Sequence, residues 1–149
     1  MFPETLELVV VTPERQLLRE SCAGVEIPGA DGYLGILPGH APLMTELGIG
    51  RLSSRSGNTE VQLAVIRGFA EVLPGRVTVL AEIAERGEEI DVPRAQAALQ
   101  RAEKRMSSQD SNIDWDRAGA ALQRALIRVQ VARKRHTGAA SGSQTVALG

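Results

Sequence analysis

From Leu6 to Ala81, apolar residues recur at every second position in short runs. Leu6, Leu8 and Val10 are separated by Glu7 and Val9, and Val25 and Ile27 flank Glu26. Val61, Leu63 and Val65 alternate with Gln62 and Ala64, and Val77 and Val79 flank Thr78. This period of two puts one face of an extended strand on a core and the other in water. Turn signals separate the runs at Thr12-Pro13, Pro28-Gly29, Pro38-Gly39, Ser56-Gly57-Asn58 and Pro74-Gly75, the spacing expected of a sandwich or barrel. The last two read as hairpin tips. Residues 4–84 therefore predict an all-β sandwich.

Between Glu85 and Arg105 the period changes. Val92, Ala95, Leu99, Ala102 and Met106 are spaced three, four, three, four, and Trp115, Ala118, Leu122, Ala125, Val129 and Ala132 repeat the rhythm. That spacing gives two helices an apolar seam of small residues, suited to close packing. The polar link S-S-Q-D-S-N is short, so the helices are expected to lie antiparallel, with Ser111, Asn112 or Asp114 capping the second. The fold class is thus β followed by α: a sandwich over 1–86, an antiparallel two-helix hairpin over 87–136, and a flexible tail of linker composition over 137–149. A seam made largely of Ala contributes ~1 kcal/mol or less per buried residue, so the hairpin reads as an arm able to change position.

Composition adds an asymmetry to this division. The net charge of −1 conceals seven Arg against thirteen Asp and Glu in residues 1–90, and ten Arg or Lys against five Asp and Glu in residues 91–149. The two portions therefore carry −6 and +5, which makes an anionic partner for the helical part a natural hypothesis beside the plainer reading of a solvated basic face. No apolar run approaches the ~20 residues of a bilayer span, and the start M-F-P-E-T-L-E-L has no basic region ahead of an apolar one. Direct membrane insertion is not expected. Cys22, the sole cysteine, permits no intrachain disulfide and reads as a small buried hydrophobe.

Catalytic and metal constellations are missing from the pattern. The two histidines, His40 in a Pro-Gly-His-Ala-Pro turn and His136 in a basic run, match no metal spacing, and neither a phosphate loop nor a nucleophile elbow occurs. Aromatics at 3% are too few for base-stacking platforms, which argues against nucleic acid. A non-catalytic protein with no required cofactor and no metal is the expectation. What the helices do carry is arginine. At about 100° per residue, Arg94, Arg101 and Arg105 share one side of the first helix, and Arg117, Arg124 and Arg128 one side of the second. In an antiparallel pair both stripes fall on one side of the hairpin. Converging guanidiniums match phosphate oxygens, and a solvated basic face is the competing reading.

Three blocks bring a known family into view: G-Y-L-G-I-L-P-G-H-A-P-L (Gly32 to Leu43), G-F-A-E-V-L-P-G-R-V-T-V-L-A-E (Gly68 to Glu82) and A-E-R-G-E-E-I-D-V-P-R-A (Ala84 to Ala95). In this order, with a helical hairpin behind them, they resemble the epsilon subunit of bacterial and chloroplast F-type ATP synthases over about residues 5–135. The resemblance implies a rotor subunit of the central stalk at the cytoplasmic side of the cell membrane, peripheral and non-catalytic. Its sandwich would bind the gamma subunit and the polar loops of the c-ring, coupling proton flow to ATP synthesis. Its helices would extend into the alpha/beta catalytic head and inhibit ATP hydrolysis.

In some bacterial members the I-D-x-x-R-A segment and nearby arginines bind a regulatory ATP that holds the hairpin compact. Matched position by position, this implies Glu85, Ile90, Asp91, Arg94, Ala95, Arg101, Arg124 and Arg128 here. Rotor contact is implied for Asp31, Tyr33 and His40, with Tyr33 standing where many relatives have Glu and Asp31 as the substitute charge. Pro93 departs from the pattern: its missing N–H is harmless in a first turn, but it biases Val92 away from helical angles and would delay the helix start. A stand-alone ATP-binding sensor is the alternative function.

Overall fold

The computed structural model describes residues 3–148, with side chains described through Arg133. The chain divides into two compact units, Met1–Glu85 and Arg86–Gly149.

The first unit is a seven-stranded sheet: β1 (Leu6–Val11), β2 (Gln16–Cys22), β3 (Gly24–Gly29), β4 (Gly32–Ile36), β5 (Leu43–Ser56), β6 (Thr59–Leu73) and β7 (Arg76–Arg86). Their order across the sheet is β2-β1-β7-β6-β5-β3-β4. Most neighbours are antiparallel hairpins, but β1 pairs parallel with β7, from Glu7 opposite Arg76 to Val11 opposite Leu80. The hairpin tips fall where the turn residues place them, at Gly57-Asn58 and Pro74-Gly75.

Alternation decides the buried face. Leu6, Leu8 and Val10 are inward, as are Val25, Ile27, Leu63, Val65, Val77 and Val79, and they form one core with Leu47, Leu52 and Val72. Cys22 is buried in the same core. β2 and β5 stand four places apart in the sheet order, ~19 Å if the sheet were flat. Yet Ser54 Oγ donates to the Glu20 carboxylate, and Ser56 Oγ donates to the Ser21 carbonyl at 3.1 Å. The sheet therefore folds back on itself, and its two inner faces enclose the core as a sandwich. β6 bends at Arg67 and Gly68, whose φ values are 58° and 132°.

The second unit opens with a short 3-10 turn at Gly87–Glu89, followed by α1 (Val92–Met106) and α2 (Trp115–Leu148). α2 packs on α1 and also on the 3-10 turn. Burial follows the heptad spacing in part and extends beyond it on α2, where Ile127 and Val131 are buried as well. Ala95, Ala102, Ala118, Ala125, Val129 and Ala132 are buried and Leu99 and Leu122 half-buried, but Val92 is 38% exposed and Trp115 49%. Those two are the first residues of their helices, where the partner helix covers less of their surface. The flexible tail that composition predicts over 137–149 lies outside the residues whose packing is described. The side chains of residues 134–149 lie outside the described ones.

Candidate functional site

The family signature sits on a helix start built by local chemistry. Asp91, in an extended conformation, is the N-cap of α1, and its Oδ1 accepts the Arg94 N–H at 3.1 Å. Its backbone carbonyl takes the Ala95 N–H at 2.9 Å. Pro93 lies in the first turn, where no donor is needed, and α1 nonetheless begins at Val92. The delayed start expected from Pro93 does not occur, because capping at Asp91 holds Val92 in the helix. Ile90 is buried and its N–H returns to the Gly87 carbonyl at 3.3 Å. Glu85, near the end of β7, is half-buried and belongs to the first unit.

The arginines divide by exposure. Arg94, Arg101, Arg105 and Arg117 are exposed, whereas Arg124 and Arg128 are half-buried on α2. Counting outward from Met106 and Trp115, Arg94 comes level with Ile127, beside Arg128. By the same count Arg101 comes level with Ala120, between Arg117 and Arg124. Arg101 and Arg105 from the first stripe and Arg117 from the second line one cleft. The link supplies Asp114 as the cap of α2, its Oδ1 accepting the Arg117 N–H at 3.2 Å. The cleft itself was not legible in the sequence, because it is closed by Lys104, Ser108, Asp110 and Asn112, which periodicity leaves unremarked.

On the sandwich, Asp31 is exposed in the turn between β3 and β4, and Ala30 beside it donates to the Glu46 carbonyl at 2.9 Å. Tyr33 Oη accepts the backbone N–H of Arg51 at 3.1 Å, with the Arg51 guanidinium 5.6 Å from the ring centroid and bonded to Glu26 Oε1 at 3.3 Å. His40 Nδ1 lies 2.7 Å from the Ala41 carbonyl, and its turn is tied down by the Gly39 N–H to the Pro74 carbonyl at 2.8 Å. Since Leu43 pairs with Val72, both turns anchor at one end of the β5–β6 ladder. Met44 (63% exposed), Phe69 (54%) and Leu73 stand outward there.

Among the described residues no group of three or more metal-binding side chains gathers, and no helix is long and apolar enough to cross a membrane.

Comparison with known proteins agrees with the division. Residues 5–87 match the beta-sandwich domain of the ATP synthase Delta/Epsilon chain, and residues 88–133 match its long alpha-helix domain. An ATP synthase epsilon chain from Solibacter usitatus is 54% identical over 103 residues, covering 69% of this chain and 77% of its own. One from Desulforamulus reducens is 49% identical over 129 residues, covering 87% of this chain and 98% of its own. The fold is shared with a chain of the Euglena gracilis mitochondrial ATP synthase OSCP/F1/c-ring structure (TM-score 0.65, 24% identity, covering 93% of this chain and 83% of that one). A sandwich with a parallel β1–β7 pair, a capped I-D-x-x-R-A helix start, family matches over both units and a 49% identical relative matched over 98% of its length lead to one conclusion: this chain belongs to the epsilon-chain family of F-type ATP synthases.

Proposed function

We propose that the chain is a non-catalytic rotor subunit of a proton-translocating ATP synthase, in which the sandwich transmits rotation and the helical unit restrains ATP hydrolysis. The observation that carries the second part is the contrast within the helical unit. Among the described residues, five of the eight buried ones in its helices are Ala, the others being Ile127, Val129 and Val131, while Arg94, Arg101, Arg105, Arg117 and Arg124 make no side-chain ion pair or hydrogen bond. Packing of that kind contributes little, ~1 kcal/mol or less per Ala, so a polyanion gathered by the arginines would shift the balance between packed and extended helices.

The polyanion is ATP in this reading, held by Asp91, Arg94 and Ala95 at the α1 start with Arg101, Arg124 and Arg128, and with Glu85 and Ile90 beside the motif. The sandwich end with Asp31, Tyr33 and His40 meets the gamma subunit and the c-ring loops, its exposed Met44, Phe69 and Leu73 supplying the apolar contact. Extended, the helices reach the alpha/beta head. The subunit is then peripheral, on the cytoplasmic side of the membrane.

The experiment compares ATP hydrolysis by the enzyme reconstituted with the full chain, with residues 1–88, and with full-length Arg94→Ala. Higher hydrolysis with 1–88 than with the full chain is expected, and equal rates would exclude an inhibitory arm. Arg94→Ala should weaken the response of inhibition to ATP. An unchanged ATP response would leave the arm but remove the nucleotide from it.

A further inference from the structure

The link between the helices, residues 107–114, folds against the helix ends and leaves a cleft of about 710 Å3. Arg101, Lys104 and Arg105 line it from α1 and Arg117 from α2. None of these four side chains makes an ion pair or a hydrogen bond among the described residues. The two carboxylates at the cleft are used by the backbone: Asp110 Oδ1 accepts the Asn112 N–H at 2.9 Å, and Asp114 Oδ1 caps α2. Four cations thus face two carboxylates already engaged as acceptors. Like charges held together repel, and a multivalent anion removes that repulsion while supplying acceptors to forked donors. Ile113 and Ala118 provide one apolar wall.

We infer that this cleft is an oligophosphate site in its own right. It is distinct from the motif at the α1 start: Arg105 lies eleven residues beyond Arg94, about 16 Å along the helix axis at about 1.5 Å per residue. Only Arg101 is common to the cleft and the residues assigned to ATP above. The inference stands without ATP binding at Asp91–Ala95. An anion here bridges α1 to α2 at the turn, so it holds the hairpin at the end farthest from the family signature.

Calorimetric titration of the full chain with inorganic triphosphate tests this, using Arg105→Ala, Arg117→Ala and Arg94→Ala as variants. All three replace exposed helix residues, and helical circular dichroism verifies that each is folded. Saturable binding is expected, roughly tenfold weaker in each of the two cleft variants and unchanged in Arg94→Ala. It should also weaken as salt rises from ~0.05 to ~0.5 M. A competition arm identifies the source of the anion: ATP that displaces triphosphate makes the nucleotide's own phosphates the occupant, and ATP that does not makes it the free inorganic anion. Absence of triphosphate binding at low salt, or binding unchanged in both cleft variants, would overturn the site. Loss confined to Arg94→Ala would likewise overturn it while leaving ATP binding at the motif intact.

Discussion

Gly68 approaches Leu80 so closely that a Cβ on Gly68 would stand 2.1 Å from the Leu80 carbonyl oxygen. The contact is with backbone, so no side chain can move aside, and the φ of 132° is itself strained for any L side chain. Gly68→Ala should destabilise the sandwich by about 3 kcal/mol or more, lowering the urea midpoint of the full chain. A midpoint within error of the parent would mean that β6 bends without this close approach.

Tyr33 packs onto Gly50 of β5 and accepts the Arg51 N–H. Removing the hydroxyl in Tyr33→Phe leaves the ring in place and costs about 1 kcal/mol. Hydrogen exchange at the Arg51 amide should accelerate about fivefold if that amide opens locally. Unaltered exchange there would show that another acceptor protects the amide.

Asp91 has a structural role that is separable from a ligand role. Asp91→Ala loses the cap on Arg94 N–H and should lower α1 stability by about 1 kcal/mol, whereas Asp91→Asn keeps an acceptor and should preserve it. Helical circular dichroism on heating distinguishes the two variants. If both melt alike, capping is not what Asp91 contributes.

The Cys22 thiol is pushed above its ordinary 9.0, chiefly by burial and secondarily by the charge of Glu20, against a lowering contribution from Gly24. A raised value means that the folded state keeps the proton more tightly than the unfolded chain. Stability from this group is complete below pH 9 and declines as the pH rises through the folded value, when only the unfolded chain ionises readily. Alkylation by iodoacetamide at pH 8 should accordingly be far slower than for a free thiol, because little thiolate is present. Alkylation at the rate of a free thiol would exclude the buried, neutral state.

Much of this organisation is legible in the sequence, for identifiable reasons. Alternation at Leu6–Val10 and Val77–Val79 reports inward faces directly, and Gly57-Asn58 and Pro74-Gly75 mark the hairpins. β2 is harder to read because Leu17 and Leu18 are adjacent and both buried, which breaks the period. β5 hides its length behind Gly48, Gly50 and three serines, residues that give no strand signal by themselves. The fold-back of the sheet brings Ser54 to Glu20, a contact across thirty-four positions that no local pattern encodes. At the helices, periodicity gives the Ala seam and both arginine stripes. It does not give the cleft at the turn, which depends on how the link folds.

The parallel pairing of β1 with β7 has a consequence for biosynthesis. β1 leaves the ribosome first, with β2 as its antiparallel neighbour, but its other edge waits for the last strand of the sheet. Until the segment through Arg86 has emerged, the nascent sheet carries an open, largely valine and leucine edge. Closing it spans some seventy residues, a slow and late step for a small β unit. The helical arm, translated afterwards, is therefore added to a sandwich that has only just shut.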